Sequence, residues 1–259
     1  MTIKDLNPKL INPDQYLVEE DQMGNSTAQT LFIRYEISVL ERLYREESWL
    51  IAGELNHYHE AIENSENLIV PDIAVFKGIL ISIEEQPKIS SWNMRKGDKP
   101  CPPLVIESSS DSNYDNDINL EKKPRLYGLI GVKEYLAYDP NPRPVWPKRV
   151  GTRLLGWRYD AQGNSTTIKT NEEGRMWSEV LDSWLEPDGL YLRLYDREGQ
   201  LRLTGEEAGE KQVKIEAQAR LQAEEQAKTE AQRANTAEQR IAELERQLAE
   251  ARRQSPEKQ

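Results

Sequence analysis

Two stretches, Val70-Pro71-Asp72-Ile73-Ala74-Val75-Phe76 and Pro103-Leu104-Val105-Ile106-Glu107-Ser108, decide how this chain reads. Each is a short apolar run rich in β-branched residues, the pattern of a buried strand. Each carries one carboxylate in or beside that run. Pro71 has no N–H for a strand ladder, so it belongs at a strand start or a bulge, which sets Asp72 at the mouth of a sheet. Taken alone, Asp72 reads as a turn carboxylate capping local amides, as Pro-Asp pairs often do. Glu107 closes its strand, and an acid there needs a partner, either a metal ion or a buried cation. Two acids on neighbouring strands are most simply explained by a hard divalent cation held between them.

The rest of the composition narrows the class. A single cysteine, Cys101, leaves no intrachain disulfide framework and no cysteine-rich zinc site, which points to a reducing compartment. The N-terminal residues carry no apolar run of the kind a signal peptide needs, and no stretch is long and apolar enough to span a bilayer, so a cytoplasmic protein without a membrane segment is expected. The formal net charge is −11. From Glu206 onward there are 12 Glu and 10 Lys plus Arg, a net −2, so the preceding part carries −9 and is itself acidic. This argues against a large non-specific grip on nucleic acid, so any nucleic-acid surface must be a local patch, for which Lys88, Arg95, Lys96, Lys99, Lys122, Lys123 and Arg125 are candidates. Scattered solvated charge is at least as good a reading for most of these.

Periodicity gives the organisation. Leu31, Tyr35, Val39 and Leu43 recur at helical spacing behind the capping side chains Asn25, Ser26 and Thr27, which predicts a helix over 27–46. Strands are expected over 49–56, around Asp72, around Glu107, and over 133–138, 154–159 and 166–170. A hairpin is expected between 190–195 and 201–203. A helix is expected over 117–130, interrupted or shifted at Pro124 and capped by Gly131. The order predicts an α/β fold, a mixed sheet flanked by helices. We divide the chain into a lead-in over 1–25, a main domain over 26–204, and an Ala/Glu/Gln/Arg-rich helical or coiled-coil tail over 205–259. In the tail, Ala227, Ala234, Ile241 and Leu248 share one heptad position and Ala223, Ala237, Leu244 and Ala251 the other, with Glu230 interrupting. A solvated single helix is the alternative for this segment.

The longer context carries a family resemblance. Pro71-Asp72-Ile73-Ala74-Val75, then Pro103 through Ser110, Asp117, Lys123-Pro124-Arg125-Leu126-Tyr127, and Gly131-Val132-Lys133-Glu134-Tyr135-Leu136-Ala137-Tyr138-Asp139-Pro140 resemble the Uma-two family of restriction-type endonucleases, within the PD-(D/E)xK superfamily. The resemblance covers roughly residues 25–200. It implies a restriction-endonuclease-like fold, Asp72 and Glu107 as ligands of Mg²⁺ or Mn²⁺, DNA as substrate, and a catalytic lysine. The superfamily lysine stands two residues after the acid, but that position is Ser109. The resemblance places it instead at Lys123, four residues before Tyr127, with Lys122 as the alternative.

Several other residues compete for attention. Glu36 and Glu54 are candidate extra metal ligands; Glu36 reads better as a surface charge, while Glu54 alternates with apolar neighbours. His57 and His59 share a strand face, but with no further histidine and one cysteine they do not make a zinc site. Ser108, Ser109 and Ser110 lack the setting of a nucleophilic serine and are expected to shape the loop. Tyr127, Tyr135, Tyr138 and the tryptophans read as core. The expected function is thus metal-dependent hydrolysis of DNA phosphodiesters, with Asp72, Glu107 and Lys123 catalytic. The alternative is a non-cleaving scaffold of the same fold, assembled as a homodimer or higher oligomer through its tail.

Overall fold

The computed structural model describes residues 26–62, 68–79, 81–82, 84–95 and 99–254. The expected lead-in over 1–25 and Lys96 of the basic patch lie outside these residues. The chain divides into two compact units, with the division between Arg202 and Leu203.

In the first unit, helix α1 (Thr27–Leu43) begins at Ser26. The Ser26 side chain accepts from the Gln29 backbone while the Gln29 side chain accepts from the Ser26 backbone. This reciprocal cap satisfies amides that the first helical turn leaves open. The main sheet has six strands in the order β1 (Trp49–Gly53), β4 (Ile73–Lys77), β6 (Leu104–Ser108), β7 (Glu134–Tyr138), β8 (Leu154–Tyr159), β9 (Ser165–Thr167). Only β6 and β7 run parallel within it. A short sheet joins β3 (Leu68–Ile69), β2 (Asn56–Tyr58) and β5 (Ser91–Asn93). Another joins β10 (Met176–Ser178), β11 (Ser183–Asp188) and β12 (Tyr191–Tyr195). Helices α2 (Tyr114–Ile118) and α3 (Lys123–Ile130) lie between β6 and β7 in sequence.

Both faces of the main sheet are covered, which is why its central strands read as continuous apolar runs rather than as alternating ones. The period of two sorts their side chains between two cores. Ile73, Val75, Leu104, Ile106, Leu136 and Tyr138 pack with Phe32, Val39 and Leu40 of α1. Ala74, Phe76, Val105, Tyr135 and Ala137 pack on the other face with Tyr127 and Ile130 of α3.

The mixed α/β fold predicted from sequence is the fold observed, with local differences. The strand expected over 49–56 ends at Gly53, because Glu54 takes a left-handed φ of 49° and the chain crosses into the short sheet as β2. Helix 117–130 is two helices. Pro124 sits in the first turn of α3, where its missing N–H costs nothing, and starts that helix instead of interrupting one. Gly131 caps α3 with φ 93°. The partner of β12 is β11 rather than 201–203, of which only Leu201 forms a bridge to Tyr195. Strands β5, β10 and β11 are absent from the sequence reading. They are short or rich in Ser, Pro and Asp, so they present little apolar alternation to detect.

The second unit contains α4 (Gly205–Gln254), a single helix of 50 residues. No helix among the described residues is long and apolar enough to cross a membrane.

Candidate active site

Strand register brings the two acids together. β4 and β6 pair antiparallel with Ile73 opposite Ile106. One step further along this register, Asp72 faces Glu107. The Asp72 amide lies 3.4 Å from Glu107 Oε2. Asp72 leaves the sheet just before β4, as Pro71 requires, while Glu107 is still inside β6 and buried.

The same period of two decides what each acid meets. Glu107 shares its parity with Val105 and so faces α3. There its Oε1 accepts from the Tyr127 hydroxyl and lies 3.1 Å from the Lys123 ammonium. Lys123 and Tyr127 are four residues apart on α3 and so occupy one helix face. Ser108 has the opposite parity and faces α1, where Gln29 Nε2 donates to its carbonyl at 2.8 Å. The Ser108 amide and hydroxyl both donate to Asp72 Oδ2, each at 2.6 Å. Gln29 thus caps α1 and also ties that helix to the residue that grips Asp72.

A third carboxylate completes the cluster. Asp117, on α2, is fully buried, lies 2.9 Å from Lys123 Nζ, and accepts from the Ser109 hydroxyl at 2.8 Å. Tyr135 donates to the Asp117 carbonyl at 2.9 Å. The ammonium of Lys123 therefore bridges Glu107 and Asp117. Lys122 turns away and pairs with exposed Asp115 at 2.6 Å.

The charges are unevenly compensated. Asp72 is pushed up to about 7, first by burial and then by the Glu107 charge, against the opposing pull of the Ser108 hydrogen bonds and Lys123. Asp117 is pushed up to about 6, again mainly by burial, with Lys123 opposing. For Lys123 burial favours deprotonation, but the charges of Glu107 and Asp117 outweigh it, and the ammonium is held more firmly protonated than an ordinary lysine. Three acids stand around one cation, Lys123. Asp72 Oδ1 has no hydrogen-bond partner among the described residues, and Glu107 Oε2 has only the long contact to the Asp72 amide. One oxygen of each acid, Asp72 Oδ1 and Glu107 Oε2, is thus left without a strong partner. This donor set fits Mg²⁺ or Mn²⁺, which take oxygen ligands and complete their shells with water and substrate oxygens. Among the described residues no group of three His, Cys, Asp or Glu side chains has metal-binding geometry, so the protein's share of such a shell would be this pair.

The other sequence candidates fall elsewhere. Glu36 is no surface charge. It is fully buried on the inner face of α1, its Oε1 accepts from the Leu192 amide at 3.1 Å, and burial raises its pKa well above that of an ordinary glutamate. Glu54 is exposed, and its amide donates to the Asp72 carbonyl at 3.2 Å. His57 is buried against Phe76, bonded through Nδ1 to the Leu55 carbonyl, and burial lowers its pKa to about 4. His59 Nδ1 accepts from the Ala61 amide at 3.0 Å. The serines do shape the loop, but Ser108 and Ser109 do so by holding two of the acids. Sequence reasoning gave no site role to Asp117, Ser108, Tyr127 or Gln29. The available signals were the helical spacing of Lys123 with Tyr127 and the Ser-x-x-Gln cap at 26–29.

Two acids at the ends of neighbouring strands, with a lysine against one of them, is the arrangement that the resemblance to the PD-(D/E)xK class implies. Residues 23–186 match the model of the family described as "Uma2: Putative restriction endonuclease". That match spans more than half of the chain, and the chain belongs to this family. Among solved structures, a putative nuclease of DUF820 from Anabaena variabilis is 14% identical, with 61% of this chain and 75% of that chain covered and a TM-score of 0.38, too loose a likeness to argue from. No curated protein matches.

Proposed function

We propose that this protein is a divalent-metal-dependent endonuclease that hydrolyses DNA phosphodiester bonds at the Asp72–Glu107–Lys123 cluster. The observation that carries the reading is the pair of open carboxylate oxygens on Asp72 and Glu107 beside a firmly protonated lysine. Asp72 and Glu107 would hold Mg²⁺ or Mn²⁺. When bound, such an ion supplies a water of lowered pKa and a Lewis acid for the charge that builds on the phosphate.

The chain's own groups do the rest. Lys123 remains an ammonium, so it donates hydrogen bonds and positive charge and does not act as the proton acceptor. Its role is to steady a phosphoryl oxygen as negative charge grows there. Asp117 and Ser109 are positioning groups that fix the ammonium. Tyr127 holds Glu107 Oε1, leaving Oε2 turned toward Asp72. Ser108, backed by Gln29, fixes Asp72 in the same way.

The test is incubation of supercoiled plasmid with purified protein in Mg²⁺, Mn²⁺ or EDTA, beside the Glu107→Gln variant. Nicking that needs the metal and is lost in the variant is the expected result. Folded protein that cuts nothing in either metal would overturn the enzyme reading in favour of a non-cleaving scaffold.

A further inference from the structure

The second unit offers an interaction surface that the nuclease reading does not use. Helix α4 has 50 residues, about 75 Å at 1.5 Å per residue, and nearly all of it is exposed. Its larger apolar side chains do not scatter. Ile241 (56% exposed), Leu244 (49%) and Leu248 (54%) fall at successive seam positions of one heptad frame. Ala234, Ala237 and Ala251 continue that seam on either side. Upstream it degrades, with Glu230 and Arg220 on it.

The charges flanking the seam specify its occupant. In this frame Arg233 and Arg240 stand on one flank, and Glu238 and Glu245 on the other. None of the four forms an ion pair with a described residue, whereas Arg246 pairs with Glu243 within the helix at 3.1 Å, away from the seam. In a parallel in-register pair of helices, each g residue meets the e residue five places on in its partner. That sets Arg233 against Glu238 and Arg240 against Glu245, each twice by symmetry. An antiparallel pair would set e against e and g against g, so Arg would face Arg and Glu would face Glu. Ile241 at a with Leu244 at d is the two-stranded preference.

We infer that residues 234–251 of α4 form a parallel, in-register two-stranded coiled coil with a second copy of this chain. Parallel pairing gives both copies their first unit at the same end of the coil, and the argument is independent of what that unit does.

Sedimentation equilibrium of the full chain tests this together with three variants. The wild type is expected at twice its 29.9 kDa mass. Arg233→Glu with Arg240→Glu turns attraction into repulsion and should weaken the dimer at least about tenfold. Adding Glu238→Arg and Glu245→Arg reverses both flanks and should restore it. These four positions are exposed and take good helix formers, so helicity by circular dichroism should not change. Ala251→Cys in a Cys101→Ser background should form a disulfide between the two copies under mild oxidation, as only parallel register allows. A monomer at all concentrations, a dimer indifferent to the charge reversal, or no cross-link at position 251 would each overturn the inference.

Discussion

The Lys123 ammonium lies 3.1 Å from Glu107 Oε1, although the lysine comes from a helix and the glutamate from the middle of a sheet. The superfamily pattern has lysine and acid on one strand, two residues apart. Here Ser109 stands at that position, and the cation found beside Glu107 comes from α3. What makes this reach possible is parity. Glu107 points to the face that α3 covers, and Pro124 starts α3 so that Lys123 is its first residue.

The lysine is therefore expected to matter for stability as well as for catalysis. Lys123→Met would leave Glu107 and Asp117 buried without their shared cation and should cost about 3 kcal/mol at pH 8. Lys122→Met, which loses only the exposed pair with Asp115, should leave stability essentially unchanged. Guanidinium unfolding of the two variants measures this directly. Equal losses would mean that Lys123 does not compensate the buried acids.

Asp72 should make stability depend on pH in a known direction. Its folded pKa is about 7, above its ordinary value of 3.8. The folded state then holds the proton more tightly than the unfolded state does. The resulting stabilisation is full below pH 4 and is lost as pH rises through 7, by about 2–4 kcal/mol. In EDTA, Asp72→Asn should remove that slope and be more stable than wild type at pH 8. Adding millimolar Mg²⁺ at pH 8 should raise the melting temperature of the wild type and leave Asp72→Asn unmoved. A metal response equal in both proteins would remove Asp72 from the ligand set.

How much of this could be read in the sequence depended on the range of the signal. The strands of Asp72 and Glu107 were legible because both their faces are buried, which produces unbroken apolar runs. Gly131 was legible as a cap for a local reason, the left-handed turn it makes. Glu36 was not, because an acid between helical apolar positions looks the same whether its face meets solvent or the β12 backbone. Only the Leu192 amide, far away in sequence, distinguishes the two. Asp117 was invisible as a site residue for the same reason, since its partners Ser109 and Lys123 meet it only once α2 and α3 fold as separate helices.

Glu36 itself carries a prediction. Burial raises its pKa well above 4.5, so its stabilisation is complete below that value and is lost as pH rises through the folded pKa. Glu36→Gln keeps an oxygen for the Leu192 amide and removes the ionisation. It should match wild type within about 1 kcal/mol at pH 5 and become the more stable of the two at pH 9. Thermal melts at both pH values would show it, and a difference that does not change with pH would contradict it.

The last prediction concerns how α3 is held, since α3 delivers Lys123. Gly128 packs so closely on the turn after β8 that a Cβ there would stand 2.6 Å from the Gly163 carbonyl and 2.7 Å from the Tyr159 ring. The carbonyl belongs to a backbone fixed by its own turn, with the Gly163 amide bonded to Asp160 and Gly163 at φ 81°. It cannot yield as the end of a long side chain would. Gly128→Ala should therefore destabilise by about 1–3 kcal/mol despite alanine's better helix propensity. The strain should also shift α3 along its axis, and a displacement of about 1 Å at a catalytic group is worth about a hundredfold in rate. Cleavage assayed well below the variant's melting temperature separates the two effects. Full activity in a destabilised Gly128→Ala protein would show that Lys123 tolerates movement of its helix, and that its role is electrostatic without strict geometry.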